Sequence, residues 1–112
     1  MLAKQYRLKK NKDFELTFKK GEALNGRFLF LKLRINNLEI SRFGFVIGKK
    51  VSNKAVIRNK LKRQLREIIR NNLSNIKSGF DIIIIVKPGI VDRDCREVEE
   101  EAMELLGRAG LI

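Results

Sequence analysis

The sequence predicts an α+β fold, a single two-layer domain over residues 1–112 in which helices pack on one mixed sheet of the four-stranded type. Two observations lead to this prediction. The chain has 112 residues and is 44% hydrophobic, which allows one modest core and argues against a disordered polycation. Apolar residues follow helical spacing in some segments and strand spacing in others, in the order helix, strand, strand, helix, strand, helix.

The first helix is predicted between Asn11, a good N-cap residue, and Gly21, a common helix stop. Asp13 near its start complements the helix dipole. Phe14 and Phe18 stand at positions i and i+4, so both point to the same side. A helix this short is marginal alone, and we therefore expect it to dock on the rest of the fold.

Two strands are predicted after this helix. The segment GRFLFLKLRI alternates and places leucines on one face. Its other face carries two aromatic and two cationic residues: Phe28, Phe30, Lys32 and Arg34. The segment SRFGFVIG alternates as well, and NNLE between the two has the composition of a turn. The sequence therefore predicts that these strands pair as an antiparallel hairpin.

The second half of the chain predicts a helix, a strand and a final helix. The apolar stripe of the second helix falls within about 120° of arc and consists of Ile57, Leu61, Leu65, Ile68 and Ile69. The segment FDIIIIV is apolar on both faces, which predicts an interior strand parallel to the strand before the helix. Asp92 is predicted to cap the last helix. Its outer face is expected to carry solvated ion pairs, Arg93–Glu97, Arg96–Glu100 and Glu104–Arg108.

The net charge of +12 is unevenly distributed. Residues 1–91 hold 22 Lys and Arg against 6 Asp and Glu, whereas residues 92–112 hold 3 against 7. The segment from Lys49 to Arg70 alone contains nine basic residues and a single acid, Glu67. Solvated helical faces usually mix charge signs, so this clustering predicts contacts with nucleic-acid phosphates rather than an ordinary solvent face.

A second candidate surface combines aromatic and cationic residues. Phe28 and Phe30 share a strand face with Lys32, and the first helix would add Phe14 and Phe18 if it lies along that face. Unpaired bases stack on such rings while their phosphates contact the cations. The alternative is a second small core that only holds the short helix down.

Several functions are excluded by what the sequence lacks. There is no histidine, which removes the common nucleophile–base pairs and zinc sites, and no acidic cluster suggests a metal site. We therefore predict no catalytic and no metal-binding residues. Cys95 is alone, and basic residues interrupt the N-terminus, so a reducing cytoplasm is expected rather than secretion. No apolar run is long enough to span a bilayer.

The basic helix carries a specific resemblance. The segment AVIRNKLKRQLREIIR resembles the Arg-Asn-Arg helix of the bacterial ribonuclease P protein subunit, here with Arg58, Asn59 and Lys60. At the third position this chain has Lys60 in place of the arginine of the family, which keeps the positive charge but loses the planar guanidinium group. Upstream, RLKKNKDFELTFKKG is similar to the opening motif of the family. The resemblance extends from Arg7 to about Leu106.

The resemblance implies an accessory subunit of ribonuclease P, in which the RNA subunit cleaves precursor tRNA to produce the mature 5′ end. The residues that it implies for RNA-subunit binding are Lys49, Lys50, Asn53, Arg58, Asn59, Lys60, Lys62, Arg63, Arg66 and Arg70. The residues that it implies for a groove holding the single-stranded 5′ leader are Lys12, Phe14, Phe18, Phe28, Phe30 and Lys32. No cofactor would be bound by the protein alone, and the Mg²⁺ required by the holoenzyme would be coordinated mainly by RNA. The family also implies a left-handed strand–helix–strand crossover, against the general right-handed preference.

Without the family resemblance, the residues alone leave other functions open. A small basic ribosomal or rRNA-binding protein with no role in cleavage is the nearest one. A helix-turn-helix DNA binder is disfavoured because strands flank the basic helix. A purely electrostatic membrane binder is disfavoured because no large apolar face is left exposed. The expected partners are thus ribonuclease P RNA and precursor tRNA, without DNA or membrane.

Overall fold

The structure is a computed structural model that describes residues 2–112. Within that range it contains three α-helices, four β-strands and three short 3₁₀ turns. The elements in chain order are α1 (Asn11–Lys20), β1 (Glu22–Asn25), β2 (Leu29–Ile35), β3 (Arg42–Val46), α2 (Ala55–Asn72), β4 (Phe80–Val86) and α3 (Cys95–Arg108). The α+β class and the order of the predicted elements are confirmed. The sequence missed β1, a short and mostly exposed edge strand whose four residues carry no clear alternation.

The four strands form one mixed sheet in the order β1-β2-β4-β3. β4 is antiparallel to β2 and parallel to β3, so the predicted parallel pairing across α2 is confirmed. The predicted hairpin of β2 with β3 is wrong, because β4 lies between them. The physical reason is the burial of β4 on both faces, since Ile82, Ile83 and Ile84 are at most 1% exposed. Such a strand belongs in the centre of a sheet.

The two faces of the sheet are covered unequally. On one face, buried leucines of β2 and isoleucines of β4 form the main core with α2 and α3. On the other face lies α1, which turns only Thr17 fully inward. The predicted two-layer arrangement therefore describes the main core, and α1 adds a partial third layer.

The crossover from β3 through α2 to β4 is left-handed, as the resemblance implied. The backbone carbonyl of Phe43 accepts the N–H of Leu8 at 2.8 Å and so points away from β4. The side chain of Phe43 lies in the core beneath α2. In an L-residue whose side chain faces the viewer on an upward strand, the C=O points right. Seen from α2, β4 therefore lies to the left of β3, the less common hand.

A buried carboxylate joins α3 to the loop between β1 and β2. Glu101 accepts the backbone N–H groups of Arg27, Phe28 and Leu29 at 2.9, 2.6 and 2.7 Å. The sequence analysis predicted that the acidic residues of α3 are solvated, because helical spacing does not distinguish Glu101 from its exposed neighbours. Burying this charge is tolerated because three donors replace its hydration.

Two details of α3 correct the sequence prediction. Its N-cap is Asp94, which accepts the N–H of Glu97 at 2.9 Å, rather than Asp92. The Arg93–Glu97 and Arg96–Glu100 pairs are confirmed. No Glu104–Arg108 ion pair forms within residues 2–112; Arg108 donates instead to the carbonyl of Asn25 at 3.3 Å. A backbone acceptor supplied by another part of the fold could not be seen from helical spacing.

We expect Glu101→Gln to destabilise the protein by about 2–3 kcal/mol, because the amide places an NH₂ group where a backbone donor needs an acceptor. Chemical denaturation of the two proteins measures this difference. Glu100→Gln is the matched control, since it removes the same charge from the exposed side of α3. Equal stabilities of the two variants would show that the buried contacts contribute nothing beyond surface charge.

Candidate nucleic-acid interface

The solvent side of α2 presents a basic face, which we define as the cationic residues from Arg58 to Arg70 with Asn59. The helix is oriented by its buried stripe, of which Leu61, Leu65, Ile68 and Ile69 lie in the core. This leaves Asn59, Lys60, Arg63 and Arg70 exposed and Arg58, Lys62 and Arg66 half-buried. The structure therefore brings the predicted helical set onto one continuous surface.

Most charges of the basic face have no acidic partner. Across residues 2–112, no carboxylate lies within 4 Å of the cationic groups of Lys60, Lys62 or Arg63. Arg70 differs, because its Nε donates to Glu67 at 3.1 Å. This contact raises the pKa of Arg70 and lowers the pKa of Glu67. The uncompensated positive charge is thus concentrated in the first two-thirds of α2.

The turn before α2 extends the basic face. Lys49, Lys50 and Asn53 are all exposed there. The Arg58 guanidinium donates to the carbonyl of Ser52 at 2.8 Å and so ties this turn to the helix. Sequence reasoning assigned Arg58 only to RNA, but one of its donors has a partner in the protein itself.

A small cavity of about 240 Å³ lies between α2 and the N-terminal segment. Arg7, Lys9, Lys62 and Arg66 line it together with the ring of Phe14. Burial, with the nearby charge of Arg7, lowers the pKa of Arg66, and its buried Nε has no acceptor within the described chain. Sequence reasoning did not assign Arg7 or Lys9 to a site, and no periodicity marks them. Crowded cations beside an aromatic ring suit an anionic, base-bearing ligand.

The sheet face that carries α1 is only partly covered. Strand register places Phe30, Ile85 and Val46 in one row across this face. The next row contains Lys32, Ile83 and Gly44. Ile83 is buried, whereas Lys32 and the whole Phe30 row are half-buried. We call the open strip along the Phe30 row, beside α1, the groove.

Of the predicted aromatic residues, Phe30 lies in the groove, and Phe14 and Phe18 lie on the helix beside it. Phe14 packs on Gly44, where an added methyl group would lie 2.5 Å from its ring. Phe18 is 40% exposed and lies on the same side of α1 as Phe14. Lys12 is exposed in the first turn of the helix. The structure thus places Phe14 and Phe18 on the helix that borders the face carrying Phe30 and Lys32.

Phe28 lies apart from this set. It comes just before the first residue of β2. Gly21, at the end of α1, lies against the carbonyl of Leu33, which is near the other end of β2. The guanidinium of Arg93 stacks over the Phe28 ring, 4.7 Å from its centroid. Phe28 packs against the main core and lines the cavity beside α3, so the alternation that grouped it with Phe30 does not describe its contacts.

Another cavity, of about 480 Å³, lies elsewhere and suits a different chemistry. Four glutamates of α3 line it, Glu97, Glu100, Glu101 and Glu104, so an anionic ligand would be repelled. In the part of the chain that the structure describes, no group of three or more Cys, Asp or Glu residues could hold a metal ion. Among the same residues, no helix is both long and apolar enough to cross a membrane.

Comparison with known proteins identifies the family. A family model described as Ribonuclease P matches residues 2–110. The ribonuclease P protein component of Syntrophomonas wolfei is 37% identical over 112 residues, which cover 100% of this chain and 93% of that protein. The protein component of Clostridium botulinum is 37% identical over 109 residues, covering 96% of this chain and 97% of that protein.

Solved structures agree with the sequence relatives. A Staphylococcus aureus RNase P protein mutant superimposes with a TM-score of 0.91 at 32% identity, covering 97% of this chain and 92% of that one. The RNase P protein from Thermotoga maritima gives a TM-score of 0.84 at 39% identity, covering 91% and 96%. This chain therefore belongs to the ribonuclease P protein component family, the accessory subunit of the holoenzyme that processes the 5′ end of tRNA.

Proposed function

We propose that the basic face of α2 binds the RNA subunit of ribonuclease P and that the groove beside α1 holds the 5′ leader of precursor tRNA. The observation that carries the first part is the run of cations on α2 without carboxylate partners in the described chain. Like charges held this close repel one another, so neutralisation by an anionic polymer is favourable. The full-length match to the family favours ribonuclease P RNA over ribosomal RNA as that polymer.

Binding at the basic face is mainly electrostatic. Each phosphate contact releases condensed counterions, which makes the affinity depend steeply on salt. Arg63 can present its planar fork to phosphate oxygens, whereas Lys60 and Lys62 act as point charges. Lys49, Lys50 and Asn53 would extend the contact along the turn that Arg58 holds against α2.

The groove suits an unpaired strand rather than a duplex. Phe18 and Phe30 offer partly exposed ring surface on which bases can stack, and Lys32 supplies a charge for the backbone. The cavity beside Phe14 joins the groove side of α1 to Lys62 and Arg66 on α2. A leader lying in the groove would therefore pass close to the bound RNA subunit.

Catalysis is assigned to the RNA subunit. The chain has no histidine, and its described carboxylates form no cluster that could hold Mg²⁺. We infer that the Mg²⁺ required by the holoenzyme is coordinated mainly by RNA. We also place the protein in the cytoplasm, with precursor tRNA as substrate and with neither DNA nor a membrane as a partner.

The purified protein alone is expected to leave precursor tRNA intact, whatever divalent metal is supplied. Added to a ribonuclease P RNA, it should increase cleavage at low Mg²⁺ concentration, because its cations offset repulsion between the two RNAs. Single-turnover cleavage with and without the protein measures the effect. Cleavage that co-purifies with an RNA-free preparation would contradict the accessory role.

Replacing both Lys62 and Arg63 with Ala should weaken assembly with the RNA subunit and flatten its salt dependence. Each lost contact should lower the slope of log affinity against log salt by about 0.9 for duplex or about 0.7 for single strands. The matched control replaces Arg93 and Arg96 with Ala, because this double variant loses the same charge from the start of α3 and the turn before it. An equal change of slope in both double variants would mean that only net charge matters.

Phe18→Leu and Phe30→Leu should weaken binding of long-leader precursor by the holoenzyme while the affinity for mature tRNA barely changes. Leucine keeps much of the apolar volume but loses the stacking surface, which contributes about 1–3 kcal/mol per base. Phe80→Leu is the control, since Phe80 is half-buried on the opposite sheet face. Equal losses for precursor and mature tRNA would show that the rings serve packing and that the leader lies elsewhere.

A further inference from the structure

The docking of α1 on the sheet is poor in apolar burial. Of its ten residues only Thr17 is buried, and the Thr17 hydroxyl bonds within the helix, to the carbonyl of Asp13 at 2.9 Å. A helix this short needs tertiary contacts to persist. Something other than a wide apolar stripe must therefore determine where α1 lies.

An ionic cluster beneath the first turn of α1 provides such a contact between the helix and the sheet. Asp81 of β4 is fully buried and accepts two hydrogen bonds from Arg42 at 2.8 Å and one from Arg34 at 3.3 Å. The side-chain amide of Asn36 donates to the same carboxylate at 2.9 Å. Two guanidinium groups thus share one buried carboxylate, which leaves a surplus of one positive charge.

Asp13 supplies the missing negative charge from α1. Its carboxylate lies 3.3 Å from Nη1 of Arg42, the nitrogen of that guanidinium that Asp81 does not contact. It also lies 3.9 Å from Nη2 of Arg34, the same nitrogen that contacts Asp81. The Asp81 hydrogen bond and the charge of Asp13 both act to raise the pKa of Arg42. With Asp13 in place the four charges balance, and partial burial makes their attraction stronger than on a solvated surface.

We propose that Asp13 is a positioning residue for the leader: through Arg42 and Arg34 it sets where α1 lies and thereby the shape of the groove. The inference rests on the proposed function of the groove and extends it to a residue outside the two sets proposed to contact RNA. The next residue, Phe14, packs directly on Gly44, so the ionic contact and the ring contact fix the same turn of α1. Phe18 follows one turn later on the same side of α1, so its position depends on that turn.

The test compares Asp13→Asn with Glu15→Gln in the reconstituted holoenzyme. Both variants remove one negative charge from α1, but Glu15 is exposed and has no ion pair among residues 2–112. On charge alone, each variant should bind RNA equally well or more tightly. The proposal expects the opposite for Asp13→Asn alone: long-leader precursor bound at least about fivefold more weakly, as when one stacking contact is misplaced. Affinities for mature tRNA and for the RNA subunit should match those of the control.

A second pair of variants displaces α1 without changing any charge. Gly44→Ala introduces a methyl group against the Phe14 ring, whereas Gly48→Ala introduces one into open space. Gly44→Ala should reproduce the selective loss of leader affinity, and Gly48→Ala should behave as wild type. Because the two routes are independent, Gly44→Ala decides the question if Asp13→Asn does not assemble with the RNA subunit.

The possible outcomes separate this inference from the proposed function. If the wild-type holoenzyme binds long-leader precursor and mature tRNA equally, the groove function is wrong and the inference falls with it. If the wild type depends on the leader but Asp13→Asn and Gly44→Ala match their controls, only the positioning role is overturned. A selective loss in both variants supports the inference.

Discussion

The burial of β4 on both faces is the constraint on which the rest of the fold depends. A strand with Ile82, Ile83 and Ile84 fully inward needs a neighbour on each edge and cover on each face. Helices α2 and α3 cover one face with a continuous core, but only the short α1 is available for the other. The incomplete cover leaves the Phe30 row half-exposed, so the groove is a direct result of how little chain remains to close that face.

Basic residues serve two purposes in this molecule, according to their position. Arg34 and Arg42 lie on strands beside buried Asp81, where they balance a charge that could not otherwise be buried. Lys60, Lys62 and Arg63 lie on the solvent side of α2, where the carboxylate of Glu67 is bonded to Arg70, and no carboxylate of residues 2–112 lies within 4 Å of their charged groups. A large net charge is compatible with a stable domain because the first group is neutralised internally and the second remains hydrated.

The sequence was sufficient to predict every helix and strand except β1, but not which strands lie side by side. Helical spacing in α2 and alternation in β2 predicted which side chains point inward, because both patterns are local. The hairpin prediction failed because alternation does not say which strand lies alongside, and the apolar pattern of β4 was the better guide to the centre of the sheet. Glu101 and the Arg42–Asp81 pair were not predictable in detail, since their partners are 72–74 and 39 residues away. The candidate site divides in the same way: the basic face follows from one helix, whereas the position of Phe28 depends on α3 and Arg93, which are distant in the sequence.

The sheet order also has a consequence for synthesis of the chain. The ribosome releases β2 and β3 well before β4, yet these strands do not pair with each other and meet only through the strand that emerges last. The loop before β2 can form its hydrogen bonds only later still, because the carboxylate that accepts them, Glu101, is near the C-terminus. The domain therefore cannot be completed progressively from its N-terminus, and the unpaired edges of β2 and β3 stay exposed until most of the polypeptide has been made.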